Sequence, residues 1–134
     1  MLRDERQIAL NEAVEASLHA AHVHEHGAAL LGKDLLGLRE LAAQRRRDAE
    51  GLAEHVRQLG DLPMEPDPEY EVATDIVSQI KAALVEDQRS LVIERSNEAE
   101  EALAAALREA LRHVLPPDTR RDIERIQTSQ ARFT

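Results

Sequence analysis

Residues 33–60 read KDLLGLRELAAQRRRDAEGLAEHVRQLG and carry the clearest helical pattern in the sequence. Their apolar side chains recur at spacings of three, four and seven, and at about 100° per residue these spacings place them on one face of an α-helix. The members of this stripe are Leu35, Leu38, Ala42, Ala49, Leu52, Val56 and Leu59. Gly60 follows directly, as glycine commonly does after a helix C-terminus. The stretch therefore predicts a long amphipathic helix over residues 33–59.

The same apolar pattern continues on both sides of this helix and is interrupted by clusters of glycine and proline. These breaks fall at residues 27–37, 60–68 and 116–117. A change of about 80° in the phase of the stripe predicts a further break near residues 86–90, with Asp87 or Ser90 as the new N-cap. The predicted helices span residues 3–26, 33–59, 70–86, 89–114 and 118–132. We therefore expect a single all-α domain over residues 1–134, a four-helix bundle with an additional short helix in the long connection.

The composition limits the classes of protein to which the chain can belong. Its 134 residues include no Cys and no Trp, and only Tyr70 and Phe133 are aromatic. Disulfides, thiolate metal sites and cysteine nucleophiles are therefore excluded. The formal net charge of -9 repels phosphate groups, so neither nucleic acid nor an anionic membrane surface is an expected partner. The charged N-terminus does not resemble a secretory signal, and we expect a cytoplasmic protein.

One charged side chain interrupts the apolar stripe of the helix over residues 33–59. Arg45 lies near the middle of the stripe, whereas Arg46 and Arg47 point away from it. A buried guanidinium is costly unless acceptors satisfy it, so we expect Arg45 to pair with Glu25 or Glu100. Other polar side chains at stripe positions are expected to complete a core polar network. They are Ser17, Ser96, Gln127 and Gln130. The alternative is that Arg45 extends along the stripe to reach solvent.

Histidines offer two further interpretations. His19, His22 and His26 follow Glu15 along the first helix at spacings of three and four, a pattern that could hold a metal ion. Because this face lies about 100 to 150° from the apolar stripe, the pattern favours a solvated surface with at most an adventitious ion. His55 resembles the phospho-accepting residue of histidine phosphotransfer domains, but the Lys-Gly expected shortly after it is missing. This difference favours a surface histidine.

Several short motifs occur in order along the chain. They are Leu10-Asn11-Glu12, Arg57-Gln58-Leu59-Gly60-Asp61-Leu62-Pro63, Glu94, Glu98-Ala99-Glu100-Glu101, Leu115-Pro116, and Glu124-Arg125 with Gln127. In this order, over about Leu10 to Phe133, the chain resembles the small bacterial ferritin-like four-helix-bundle proteins of unknown function. The resemblance implies the ferritin-like fold.

Ferritin-like dimetal enzymes hold their metals with one Glu from each of two helices and a Glu-x-x-His from each of the other two. The resemblance carries these ligand positions onto Ser17, Arg45, Asp48, Ser96, Gln127 and Gln130, with Glu94, Glu98 or Glu100 as alternatives to Ser96. It therefore implies a degenerate dimetal site in which Arg45 supplies the positive charge that a metal would have supplied.

These observations lead to an expected function and one main alternative. We expect a ferritin-like bundle without enzymatic activity or cofactor, which acts as a self-associating structural or interaction module. Leu36, Leu91 and Leu111 lie off the main stripes and are the basis for expecting a homo-oligomer. The alternative is an iron- or manganese-binding protein. Its ligands would be Glu25, Glu100 and Asp48 in the core, or Glu15, His19, His22 and His26 on the surface.

Overall fold

The computed structural model describes residues 4–32, 37–63, 80 and 85–132. In this part of the chain it contains four α-helices and no strand, which confirms the predicted all-α class. The helices are α1 (Glu5–Leu31), α2 (Leu38–Gln58), α3 (Val85–Leu111) and α4 (Pro117–Arg132). Helix α1 packs against α2 and α3, and α4 packs against the same two helices. The arrangement is therefore a four-helix bundle.

The start of α1 is fixed by its own side chains and by the end of α2. Asp4 accepts a hydrogen bond from the Gln7 backbone, and the Gln7 side chain accepts one from the Asp4 backbone, which forms a capping box. Gln7 Nε2 also donates to the backbone oxygen of Leu59 at 2.7 Å. The N-terminus of α1 and the C-terminus of α2 therefore lie at the same end of the bundle, so these two helices are antiparallel.

Contacts along α3 fix the directions of the remaining helices. Gly27 near the end of α1 lies against Val92 near the start of α3, so α1 and α3 are antiparallel. Near the start of α4, Arg120 donates to the backbone oxygen of Leu111 at the end of α3. Because α1 is antiparallel to both α2 and α3, helices α2 and α3 run in the same direction. The connection between them must join opposite ends of the bundle, because α2 ends where α1 begins and α3 starts where α1 ends.

Two apolar clusters occupy the two ends of the bundle. The larger includes Leu10, Leu52, Leu103 and Ile123, one from each helix. The smaller consists of Ala28, Leu38, Ile80 and Val92. Between them, the four helices contribute polar side chains to the centre of the bundle, so the core is divided by a polar layer.

The predicted end of the first helix at residue 26 is wrong. Helix α1 continues through Gly27 to Leu31, and Gly32, with φ 71°, provides the left-handed C-cap. Gly27 is buried inside the helix, where a Cβ would lie 2.7 Å from Val92 Cγ1. The glycine at this position permits close approach of two helices, although by its sequence context it predicts a helix end.

Replacing Gly27 by alanine is expected to lower the free energy of unfolding by about 1 to 2 kcal/mol. The new methyl group would overpack the interface with Val92, and this cost exceeds the gain in helix propensity. Gly51→Ala is the matched control, because its Cβ would meet only the end of the Asp122 side chain, at 3.1 Å. Urea denaturation that finds the two variants equally stable would contradict this account of Gly27.

Three further predicted boundaries need correction. Helix α2 begins at Leu38 rather than at residue 33, because Gly37, with φ 66°, lies before the helix as its N-cap. Helix α3 runs without interruption over residues 86–90, so the predicted break there is wrong, and Asp87 and Ser90 lie inside the helix rather than at an N-cap. Most of the predicted short helix over residues 70–86 lies outside the described residues. Only residues 80, 85 and 86 of this range are described. At the other end, α3 stops at Leu111, and Val114, predicted to be the last residue of this helix, lies beyond it and is 85% exposed.

Candidate functional site

Arg45 lies at the centre of the bundle and is completely buried, so it does not extend to solvent. Its Nε and one terminal nitrogen donate to the two carboxylate oxygens of Glu100 on α3, at 2.8 and 2.5 Å. The other terminal nitrogen donates to Asp48 Oδ2, one turn along α2, at 2.8 Å. The two-point contact with Glu100 matches the planar fork of the guanidinium to the carboxylate. The guanidinium therefore joins two carboxylates in the interior.

Glu100 receives hydrogen bonds from two further helices. His24 Nε2 on α1 lies 2.9 Å from Glu100 Oε2, and Gln130 Nε2 on α4 donates to the Glu100 backbone oxygen at 2.9 Å and to Oε1 at 3.3 Å. Burial alone would raise the pKa of Glu100, but hydrogen bonds from His24 and Arg45, together with the charge of Arg45, outweigh it and lower the pKa to about 2. Glu100 is therefore ionised at neutral pH and acts only as an acceptor.

Asp48 is also fully buried and has its own set of donors. Gln44 donates to Asp48 Oδ1 at 2.8 Å, and Arg125 on α4 approaches the same oxygen at 3.4 Å. Ser17 on α1 donates to the backbone oxygen of Arg45 at 2.7 Å. These contacts connect all four helices around one guanidinium. We refer to Ser17, His24, Arg45, Asp48, Glu100 and Gln130 as the Arg45 layer.

The two carboxylates of the Arg45 layer are paired with positive charge, and their oxygens are occupied by hydrogen-bond donors. Asp48 and Glu100 share the charge of Arg45, and Arg125, whose nearer partner is Asp122 at 2.7 Å, approaches Asp48 from the surface. Burial would lower the pKa of Arg45, but hydrogen bonds to Glu100 and Asp48 raise it, so the guanidinium stays charged. Each of the four carboxylate oxygens already accepts at least one hydrogen bond. A divalent cation at this position would have to displace the guanidinium, so the residues present do not fit a metal pair.

Glu25 was predicted to belong to the core polar network, but the structure places it outside the Arg45 layer. Glu25 is exposed and pairs with Arg46 at 2.6 Å on the surface. His24, which the sequence analysis did not select, takes the interior position instead. The signal was available, because Ser17, Ala21, His24 and Ala28 follow each other at spacings of four, three and four, and His24 therefore lies inside the α1 stripe. Glu25, one residue further, is turned away by about 100°.

Ser96 and Gln127 lie beside the Arg45 layer rather than within it. Ser96 is 6% exposed, and its hydroxyl forms no hydrogen bond within the part of the chain that the structure describes. Gln127 is half-buried. Both line a cleft next to Glu100. The remaining predicted members, Ser17, Glu100 and Gln130, contact Arg45 or one another directly.

The histidine face of α1 is partly buried instead of fully solvated. The rings of His22 and His26 stack with their centroids 6.3 Å apart. Burial lowers the pKa of His19, against the opposing charge of Glu15, and burial followed by the charge of Arg46 lowers the pKa of His22. Within the described residues, no group of three or more His, Asp or Glu side chains is arranged to hold a metal ion. The predicted surface ligands are thus adjacent along α1, but their side chains do not surround a common position at which a metal ion could bind.

His55 does not have the surface position predicted for it. Its side chain is 13% exposed; Nδ1 lies 2.9 Å from Thr119 Oγ1, and Nε2 lies 3.2 Å from Asp122 Oδ2. Both ring nitrogens therefore contact α4. Because a phospho-accepting histidine needs an accessible ring nitrogen, the geometry assigns His55 to the packing of α2 on α4.

Comparison of the chain with protein-family models, with curated proteins and with solved structures finds no match. None of the helices in the described ranges is long and apolar enough to cross a membrane. A function must therefore be inferred from the geometry of the bundle and of the Arg45 layer.

Proposed function

We propose that the protein is a ferritin-like helical bundle without enzymatic activity, in which a buried arginine takes the place of the dimetal centre. The observation that carries this proposal is the saturation of Asp48 and Glu100 by the Arg45 guanidinium and its neighbours. Those carboxylates lie on two helices at the centre of the bundle, as metal-bridging carboxylates do in ferritin-like enzymes. The ion pairs then have a structural task, which is to fix the register of the four helices.

The topology supports the ferritin-like part of the proposal. Helices α2 and α3 run in the same direction, and their connection must join opposite ends of the bundle. One such long crossover distinguishes ferritin-like folds from simple up-down-up-down bundles. The Arg45 layer lies between the two apolar clusters, at the depth where facing helices bring inward side chains together.

We further propose that the bundle self-associates and serves as a structural or interaction module. Large exposed apolar side chains support this part. Ile8, Leu62 and Val114 are 45%, 76% and 85% exposed, and each lies at the end of the bundle where α1 begins and α2 and α3 end. Leu91 and Leu111, singled out in the sequence, are half-buried, and Leu36 lies outside the described residues. Light scattering at micromolar concentration tests this part, and a monomer alone would contradict it.

Metal analysis of protein produced without a histidine tag separates this proposal from the iron- or manganese-binding alternative. We expect far less than one iron or manganese per chain after growth in metal-supplemented medium, because the guanidinium repels a second cation at the same carboxylates. The same sample is expected to show no oxidation of added Fe²⁺ above the buffer rate. Stoichiometric metal together with oxidase activity would overturn the proposal in favour of the alternative.

A further inference from the structure

A cleft of about 810 Å³ opens beside the Arg45 layer. Helix α4 has 16 residues and α3 has 27, so at about 1.5 Å per residue α4 covers little more than half the length of α3. The cleft lies on α3 and α4 and reaches the start of α2, with His24 of α1 in its wall. We call it the α3–α4 cleft. Its volume falls within the range of about 300 to 1,000 Å³ that is usual for small-molecule sites.

The lining combines an apolar part with a polar part. Leu38, Leu41 and Ile93 form the apolar part near the start of α2 and α3. Asn97 and Gln127 supply side-chain amides from α3 and α4. Pockets that bind small molecules have this composition, in which apolar area provides affinity and a few polar groups fix orientation.

The charged groups in the lining are already paired. Both oxygens of Glu100 accept from Arg45, and Glu101 pairs with Arg108 at 3.2 Å. A charged ligand would therefore lose its hydration without finding an unpaired charge of opposite sign, which is costly. The electrostatics of the cleft favour an uncharged ligand.

Two lining residues carry polar atoms that make no hydrogen bond to any residue in the described ranges. They are the hydroxyl of Ser96 and Nδ1 of His24, and the two side chains are 6% and 0% exposed. Since ionised Glu100 can only accept, His24 Nε2 carries the hydrogen of that contact, and Nδ1 is the ring nitrogen left for a ligand. A hydroxyl group can both donate and accept, so it can bond to this nitrogen and to the serine hydroxyl at the same time. An amide can make the same two bonds.

We propose that the α3–α4 cleft binds a small uncharged molecule with an apolar body and a hydroxyl or amide head. The apolar body lies against Leu38, Leu41 and Ile93, and the head is directed towards Ser96 and His24. This binding site goes beyond the structural role proposed above and does not depend on self-association or on the absence of a metal.

Titration with cyclohexanol, followed by backbone-amide NMR of the full chain, tests the proposal. We expect saturable shifts centred on Ser96, Asn97 and Gln127. Cyclohexanecarboxylate and cyclohexylammonium, which have the same body and a charged head, are expected to bind more weakly. Because the three probes share one apolar body and differ in the charge of the head, a difference in their affinities reports the preference for an uncharged head.

Matched variants locate the binding. Ala104→Leu fills the cleft and is expected to raise the dissociation constant for cyclohexanol by about tenfold or more. Ala105→Leu adds the same side chain at an exposed position on the same helix and is expected to leave it unchanged. Ser96→Ala removes a hydroxyl that bonds to no residue in the described ranges, and it is expected to preserve the fold and to weaken binding by about fivefold.

The proposal is overturned if the wild-type shifts do not saturate. It is equally overturned if both Ala104→Leu and Ser96→Ala bind cyclohexanol as the wild type does, or if the charged probes bind as tightly as cyclohexanol. If Ala104→Leu fails to fold, Ser96→Ala decides alone, because it removes only a hydroxyl that bonds to none of the described residues, and binding as tight as that of the wild type then overturns the proposal.

Discussion

Replacing Arg45 by alanine is expected to lower the free energy of unfolding by about 3 to 5 kcal/mol, the range measured when one partner of a buried ion pair is removed. The substitution leaves Glu100 and fully buried Asp48 without their shared cation and opens a cavity at the centre of the bundle. Chemical denaturation of the purified variant at pH 7 measures the loss.

Two neighbouring arginines provide matched controls. Arg46 pairs with Glu25 on the surface, and Arg47 donates to Gln44 at an exposed position. Because exposed pairs contribute little, Arg46→Ala and Arg47→Ala are each expected to change the free energy of unfolding by no more than about 0.5 kcal/mol. If all three variants are equally stable, Arg45 has no special place in the core and the account fails.

Acidification is expected to remove about 3 kcal/mol of stability through Glu100 alone. Its pKa falls from an ordinary value of 4.5 to about 2 in the folded protein. A group with a depressed pKa stabilises the folded state above its unfolded-state pKa, and this stabilisation is lost as the pH falls towards the folded value. Denaturation curves recorded at intervals from pH 5 to pH 2 should therefore show a steep decline in the free energy of unfolding.

Glu100→Gln tests whether this acid sensitivity comes from the Arg45 layer. The variant should be less stable than wild type at pH 7, because Arg45 loses one anion, but its stability should decline less between pH 5 and pH 2. Glu101→Gln is the control, since it removes a neighbouring exposed carboxylate outside the Arg45 layer. A decline in Glu100→Gln as steep as that of the wild type would show that other carboxylates cause the acid sensitivity.

The spacing of apolar residues was enough to predict the all-α class and the interior position of one arginine. Residue 45 falls between Ala42 and Ala49 on the stripe, and helical phase alone directs its side chain inward. Its partners could not be derived in the same way. Whether an arginine on one helix reaches Glu25 or Glu100 depends on the rotation and axial offset of the neighbouring helices, which the sequence of each helix does not contain.

The sequence leads to wrong predictions at Gly27, His24 and His55, and the physical reason differs between the glycine and the histidines. Gly27 has the local signature of a helix end, but the deciding contact is with Val92, far away in the sequence. The phase of His24 along α1 places it in the core, but the regular His19, His22 and His26 spacing on another face is the stronger sequence pattern. His55 was assigned to the surface because its partners, Thr119 and Asp122, become neighbours only when α4 packs on α2.

Hydrogen exchange at the Arg45 side chain tests most directly whether a paired, buried guanidinium lies at the centre of the bundle. In ¹⁵N-resolved NMR at neutral pH, the Nε–H signal absent from Arg45→Ala identifies this proton. We expect it to exchange with water far more slowly than the corresponding protons of Arg46 and Arg47, and to move in Glu100→Gln. An Arg45 Nε–H that exchanges as fast as those of its two neighbours, and that does not respond to Glu100→Gln, would contradict the account.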